Sequence, residues 1–290
     1  MSWPINKGRP VSYAEPLTAL SQQTVRDILD YAEKPSPTTV GPGTSVVAAA
    51  VFIAVSDLDY VVVAADEKPY GLITGYNILK VFVEEPAKAW TKLYQTKAQD
   101  LTHHAVKTTL SSSLEQVLES WRLDRWGYSL VMSERRLVNV LSSLDVLNFL
   151  LSEKLRTTLS RLTVTDVMED TGLDCRVKLD VPIQRAMEKM LGDGVRKLIA
   201  GNRILADKDF LTYLFTQPVL DVLRDSPAKA LNAPVSAMEN FLKKPATVAS
   251  DEDMYSVALK IMKSEAKAAV YRELGKILTP YDVAMSVLVR

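Results

Sequence analysis

The chain has little of what a catalytic, secreted or membrane protein is built from. Its 290 residues include one cysteine and two histidines. Cys175 has no partner for an intrachain disulfide, so no disulfide framework ties the fold to an oxidising compartment. Lying beside a predicted strand, it reads as a small buried side chain. His103 and His104 are neighbours whose side chains point apart in a helix or strand, with no Cys or acid at ligand spacing; they read as loop residues, not a metal pair. There is no glycine-rich phosphate loop, no Ser-His-Asp set and no paired-carboxylate constellation, so the expectation is a protein that is not an enzyme. Net charge is also lacking: 35 basic and 35 acidic residues cancel, leaving no overall field to draw the chain to nucleic acid. The longest apolar run, Val46 to Val55, is ten residues, about half of what a membrane-spanning helix needs. Met1-Ser2-Trp3-Pro4-Ile5-Asn6-Lys7 lacks the apolar core of a leader peptide, so a reducing cytoplasm is the expected location.

What the chain does have is a repeat. With 47% hydrophobic residues over 290 positions, it can build about two ordinary domains. Four helical segments carry apolar residues at i, i+3, i+4 and i+7, the spacing of one buried face. They begin at Val46, Leu114, Ile183 and Met254, which are 68, 69 and 71 residues apart. After each come two short apolar segments around a polar break, such as Tyr60 to Ala64 and Tyr70 to Ile73 around Asp66-Glu67-Lys68-Pro69, which read as paired strands. The third copy turns more tightly, at Gly201-Asn202.

Each second strand then runs into a hydroxyl or small residue, followed three positions later by Asp or Asn at the start of a new helix. The copies are Thr74 with Asn77, Ser142 with Asp145, Ala206 with Asp209, and Thr279 with Asp282. Ser or Thr with an acid three residues on is also an ordinary helix capping box, which by itself explains any single copy. Thr279-Pro280, with Pro at the first helical position, caps well under either reading.

The pattern predicts an α/β (α+β) fold of four strand-helix-strand-strand-helix repeats. A three-stranded unit cannot bury both faces of its sheet alone, so the units should pair. The predicted division is an extension over 1–26, a first pair over 27–155 (repeats about 27–85 and 97–152) and a second over 156–290 (about 160–216 and 232–290). Residues 1–26, with Pro4, Pro10 and Pro16, read as an extended arm.

These four registered turns, with the helix between them, resemble the cystathionine β-synthase (CBS) domain, whose tandem pairs are called Bateman modules. The resemblance covers about residues 27–290. It implies a non-enzymatic regulatory protein that needs no cofactor and binds an adenosine derivative: AMP, ADP, ATP or S-adenosylmethionine. It further implies that the acid binds the ribose diol, the hydroxyl residue faces the phosphate, and a Thr-Val pair entering the first helix borders the base. On those terms Asp282 with Thr279 is the fullest site, followed by Asp145 with Ser142. Asp209 lacks the hydroxyl, and Asn77 keeps Thr74 but loses the charge. The Thr-Val pair stands at Thr39-Val40 and Thr247-Val248, becomes Arg176-Val177 in the third repeat, and is not clear in the second.

An ionised Asp offers only acceptors and can take both donors of a diol, whereas Asn has one acceptor oxygen beside a competing donor. The adjoining helix N-termini suit phosphate. The resemblance also puts basic residues before the middle strand against phosphate, and here these are Arg196, Lys197 and Lys267, favouring the second pair. Lys243-Lys244 and Arg135-Arg136 read as solvated loop charges.

Unlike the other three, the helix Val46–Val55 is apolar on every side and must be covered on both. The expectation is a module interface, within the chain or in a homodimer; the other cover is the N-terminal arm. Beyond the nucleotide, an unidentified regulated protein is the expected partner. The rival functions are an assembly scaffold with empty pockets and a regulator linked to nucleic acid.

Overall fold

A computed structural model describes residues 20–152, 155–168, 174–271 and 275–288. It contains four three-stranded sheets. The first is β1 (Thr39–Val40), β2 (Tyr60–Ala65) and β3 (Lys68–Thr74); the second is β4 (Val106–Thr109), β5 (Tyr128–Ser133) and β6 (Arg136–Ser142). The third is β7 (Arg176–Val177), β8 (Lys197–Ala200) and β9 (Arg203–Ala206), and the fourth is β10 (Ala246–Thr247), β11 (Ala269–Tyr271) and β12 (Lys276–Leu278). In each sheet the first strand runs parallel to the second, and the second and third form an antiparallel hairpin. Between the parallel strands runs the expected helix, at Val46–Val55, Leu114–Asp124, Ile183–Gly192 and Met254–Lys263. All four begin at the residue where the apolar period begins. Ser45, Ser113 and Asp253 cap three of them by accepting from first-turn amides.

Strand alternation decides how the units assemble, because successive side chains point to opposite faces. In the first sheet Val61, Val63 and Ile73 join a helical core, while Tyr60, Val62 and Leu72 join the core shared with Tyr128, Leu130, Met132 and Val140 of the second sheet. The third and fourth sheets face each other in the same way, through Ile199, Ile204, Ala268 and Val270. Repeats one and two thus pair sheet to sheet, as do three and four. The outward helices then pack across the pairs: repeat one with three in one core, repeat two with four in another. Trp121, fully buried in the latter, gives its indole N–H to Ser129 Oγ at 2.8 Å.

Helix Val46–Val55 lies against helix Asp207–Leu214 of repeat three, an interface inside one chain, with Val46, Ala49, Ala50, Ile53 and Ala54 buried. Thr212 Oγ1 donates to Ala54 O at 3.3 Å, and Lys208 Nζ donates to Ser56 O and Leu58 O, satisfying carbonyls at and beyond the helix end. The cover is one-sided: Val51 is 39% and Val55 77% exposed.

The N-terminal segment differs from the expectation where it is described. Residues 1–19 lie outside the described residues, but Leu20 to Tyr31 is not an extended arm. Thr24 caps a helix over Val25–Tyr31, and Val25 N donates to Ser112 O at 2.9 Å. Leu20, Val25, Ile28 and Leu29 enter the core of repeats two and four, as their helical spacing allows.

Candidate functional site

Three of the four turns are capping boxes in the structure, and the fourth, at Ala206, keeps only the acid's half. Asp145 Oδ2 accepts from Ser142 N at 2.7 Å and Ser142 Oγ at 2.6 Å. Asp282 Oδ2 accepts from Thr279 N and Oγ1, both at 2.7 Å. Asn77 Oδ1 accepts from Thr74 N at 3.0 Å and Oγ1 at 2.9 Å, whereas Asp209 Oδ2 has only the Ala206 amide, at 2.7 Å. In both Asp145 and Asp282, one oxygen carries the box and the other is left over for further donors.

Sheet pairing sets the lead-in to one repeat's first strand against the turn of its sister. Ladder register makes Thr39, Lys107, Arg176 and Thr247 equivalent, since they pair with Val62, Leu130, Ile199 and Val270. Lys107 therefore holds in repeat two the register position of Thr39 and Thr247, which the Thr-Val pattern did not reveal. A constant separation of 7 residues from each of these positions to the start of the following helix was the signal that could have located it.

The lead-in to β1 faces Asp145: Asn139 Nδ2 donates to Lys34 O at 3.4 Å and Pro35 O at 3.3 Å. The lead-in to β4 faces Asn77, with Leu72 and His103 exchanging backbone hydrogen bonds of 2.9 and 2.7 Å. The lead-in to β7 lies by Asp282, with Cys175 N on Gly275 O at 3.3 Å, and that to β10 faces Asp209, with Ile204 N on Lys243 O at 2.8 Å. Thr247 and Val248, which follow that lead-in, thus stand on the Asp209 side and not with Asp282. On the Asp282 side, Arg176 follows Cys175, which is paired with Gly275, and the charge of Lys197 reaches the carboxyl; on the Asp145 side, Thr39 follows the lead-in held by Asn139.

The four clefts differ in what fills them. At Asp145, Lys34 Nζ forms an ion pair with the carboxylate, and both side chains are nearly buried. At Asn77, Trp126 stacks on His103 with centroids 4.1 Å apart and meets the Tyr76 ring edge-on at 5.5 Å. His103 is a loop residue, as expected, and its Nε2 lies 3.1 Å from Asp124 Oδ1, which gives it a defined place in the cleft. At Asp209, Lys243 Nζ sits 3.1 Å from Oδ1, a correction to its reading as a solvated charge. At Asp282 no cation forms an ion pair among the described residues.

The three expected phosphate cations are turned inward. Arg196 bridges repeats: Nε to Asp207 Oδ2 at 2.8 Å, Nη1 to Tyr128 Oη at 2.6 Å and Nη2 to Asp59 Oδ2 at 3.3 Å. Lys197 Nζ donates to Ala266 O and, at 3.2 Å, to Lys267 O, and Lys267 Nζ donates to Met262 O. Two helix N-termini likewise have a first-turn amide in use, Ser143 N on Gly127 O at 2.8 Å and Tyr76 N on Asp207 Oδ2 at 2.8 Å.

Electrostatics separates the sites further. Burial raises the Asp282 carboxyl above the usual range, against the lowering effect of the Thr279 hydrogen bonds and the Lys197 charge. Burial likewise raises Asp209, opposed chiefly by Lys243. Lys197 is brought down to about 8 by burial, against the pull of Asp59 and Asp209. Burial, then the charges of Asp145 and Asp59, keep the Tyr60 hydroxyl neutral. Cys175 is buried and its thiol raised, first by burial and then by Asp193, which disfavours the thiolate. No group of three or more potential metal ligands occurs among the described residues, and no described helix is long and apolar enough to cross a membrane.

No family model and no curated protein matches the chain. Solved structures do. A protein from Methanocaldococcus jannaschii, described as a proposed archaeal homologue of γ-AMPK, aligns over 88% of this chain and 98% of its own with a TM-score of 0.73 at 15% identity. An uncharacterized conserved protein from Pyrococcus horikoshii aligns over 88% and 96% with a TM-score of 0.50 at 15% identity. A CBS-domain-containing protein from Agrobacterium tumefaciens matches 42% of this chain and 89% of its own at 26% identity, with a TM-score of 0.37.

Proposed function

We propose that this chain, which has the fold of a four-repeat CBS-domain protein, is a non-enzymatic regulatory sensor that binds an adenosine nucleotide (AMP, ADP or ATP) in the Asp282 cleft. One observation carries the reading: Asp282 is the acid of the four turns with no lysine on it among the described residues, while Asp145 has Lys34 and Asp209 has Lys243. A ribose diol brings two donors to such a carboxylate, and a charge-assisted pair of that kind is the stronger sort of hydrogen bond. Arg176 stands at the base-side position, where a planar guanidinium suits stacking on a purine. Lys197 uses two of its three N–H groups on carbonyls, and the third supports an anionic ligand. The likeness to a protein described as a γ-AMPK homologue supports the nucleotide class. The bound state would act on a regulated protein by favouring one arrangement of the repeats, and only by the difference in affinity between arrangements.

The test is calorimetry and thermal shift against AMP, ADP, ATP, S-adenosylmethionine and NAD. A ligand present at a hundredfold its Kd adds about 2.7 kcal/mol to stability. Asp282→Ala should weaken binding by about 1.5–3 kcal/mol, the scale of a hydrogen bond to a charged group. A second reading, an assembly scaffold, is favoured by the inward commitment of Arg196 and Lys267. It is the one retained if none of the five compounds binds.

A further inference from the structure

We infer that Tyr281 is a coupling residue that ties the Asp282 turn of repeat four to the end of the first helix of repeat two, across the seam where these repeats pack. The link stands on geometry alone; only the ligand that would move it rests on the nucleotide reading of the Asp282 cleft. A helix leaves its last four carbonyls without intrahelical partners. In helix Leu114–Asp124 of repeat two, Trp121 O accepts from Arg125 N at 2.7 Å and again from Tyr281 Oη at 3.1 Å. The same position in the other turns does the same work across the seam between repeats one and three. Tyr76 Oη donates to Leu191 O of helix Ile183–Gly192 at 3.1 Å, and Lys208 Nζ reaches Ser56 O and Leu58 O at the end of helix Val46–Val55. The fourth position is Leu144, whose side chain has no donor. There the Met262 carbonyl of helix Met254–Lys263 accepts instead from Lys267 of its own repeat. One seam thus has a link in each direction, whereas of the two turn positions at the other, Tyr281 is the one that can donate.

Tyr281 is placed to pass on a change at its neighbour Asp282. Its ring lies against Gly127, where an added Cβ would stand 2.9 Å from Tyr281 Cδ2 and 3.2 Å from Ser143 Cβ. Gly127 O in turn accepts from Ser143 N at 2.8 Å, at the start of helix Ser143–Leu150. The backbone that follows helix Leu114–Asp124 is therefore in contact with the Asp282 turn. Pro280, whose ring fixes its own φ, stiffens that turn on the other side of Tyr281. Burial, then the charge of Asp282, raises the Tyr281 hydroxyl above its usual range, so it stays protonated and able to donate at neutral pH. A shift of the turn moves ring and hydroxyl together, and its effect falls on residues 121–127 of repeat two. The coupling is reciprocal, as any linkage between two sites must be.

The experiment is amide hydrogen exchange on the full chain, read at single residues, because exchange reports local opening. Two amides serve as reporters: Arg125 N, which donates to Trp121 O, and Gly194 N, which donates to Leu191 O at 3.2 Å. Tyr281→Phe should speed exchange at Arg125 about two- to tenfold, the factor that one ordinary hydrogen bond is worth, and leave Gly194 unchanged. Tyr76→Phe should do the reverse. A general loss of stability would speed both amides in both variants. Thr279→Ala, which removes the capping hydroxyl beside Asp282, should speed Arg125 in the parent chain and add nothing in the Tyr281→Phe background. Unchanged exchange at Arg125 in Tyr281→Phe, equal acceleration of the two amides, or additive effects with Thr279→Ala overturns the link. AMP tests the ligand separately: bound at Asp282, it should slow exchange at Arg125 in the parent and not in Tyr281→Phe. AMP that binds there without protecting Arg125 overturns the coupling, whereas absence of AMP binding with the tyrosine pattern intact rejects the nucleotide reading and upholds the link.

Discussion

Replacing Arg196 by methionine should cost the fold about 3 kcal/mol, through the anion it leaves behind. The guanidinium faces Asp207, whose side chain is 4% exposed, at 2.8 Å. Removing one partner of a buried ion pair costs about 3–5 kcal/mol, because the other charge stays buried and unpaired. The low end applies here because Asp207 keeps two backbone donors, Tyr76 N at 2.8 Å and Lys208 N at 2.9 Å. Loss of the Tyr128 and Asp59 contacts adds little: Asp59 is half exposed and returns to water. For a chain of this size, 3 kcal/mol corresponds to a fall in Tm of about 6 °C. Urea unfolding of Arg196→Met, Asp207→Asn and the double variant closes the cycle. In the double variant the neutral amide can still accept from Tyr76 N, so it should regain most of the loss, with a coupling of about 2 kcal/mol. A single-variant loss below about 1 kcal/mol, or strictly additive effects, would show that Arg196 is not the fastener between repeats that its contacts describe.

Gly71→Ala should destabilise by about 1–3 kcal/mol, the range for forcing extra volume into a packed site, because an added Cβ would lie 2.3 Å from His103 O; a urea midpoint equal to the parent's would contradict the close approach. Affinity for AMP should rise with pH as the buried Asp282 ionises above the ordinary carboxylate range, and Asp282→Asn should bind weakly with no such rise. In stability the sign is opposite. The folded chain holds the Asp282 proton more tightly than the unfolded chain, so its contribution falls as pH rises from the ordinary carboxylate pKa through the raised folded value. Asp282→Asn should remove that part of the fall in urea midpoints. Finally, if a homodimer forms on the outer side of helix Val46–Val55, Val55→Lys should shift sedimentation toward monomer, and an unchanged profile places any self-association elsewhere.

Periodicity made the architecture legible, because it records burial directly. Val46, Leu114, Ile183 and Met254 open their helices where the apolar spacing opens, and the alternation through Tyr60 to Val63 divides the strand between two cores. The clefts were less legible. Which lead-in meets which turn is a matter of sheet pairing between repeats and leaves no local mark, so Thr247 could not be assigned to the Asp209 side from spacing within its own repeat. The inward turn of Arg196 depends on Tyr128 and Asp59, which lie 68 and 137 residues away. Lys243 beside Lys244 looked like a solvated charge because its partner Asp209 is brought to it by the Ile204–Lys243 backbone pairing.

The four turns share one backbone design, and what separates them is how each meets the cost of bringing a carboxylate out of water. A buried acid is tolerated when it is neutralised, paired or hydrogen-bonded. At Asn77 the charge has been removed; at Asp145 and Asp209 a lysine from the sister lead-in supplies the counter-ion. Asp282 has only its Thr279 capping bonds and the more distant field of Lys197, and burial raises its pKa in consequence. Such a group is less stabilising than either alternative, and both are adopted elsewhere in this same chain. Its persistence at one turn is what a binding site would require, because a ligand that supplies donors gains the free energy the fold has left unclaimed. The backbone connects that cleft to the rest of the molecule: Lys197 follows Arg196 directly, and Arg196 reaches Asp59 of repeat one and Tyr128 of repeat two. A ligand that shifts β8 would therefore move a side chain that ties three repeats together.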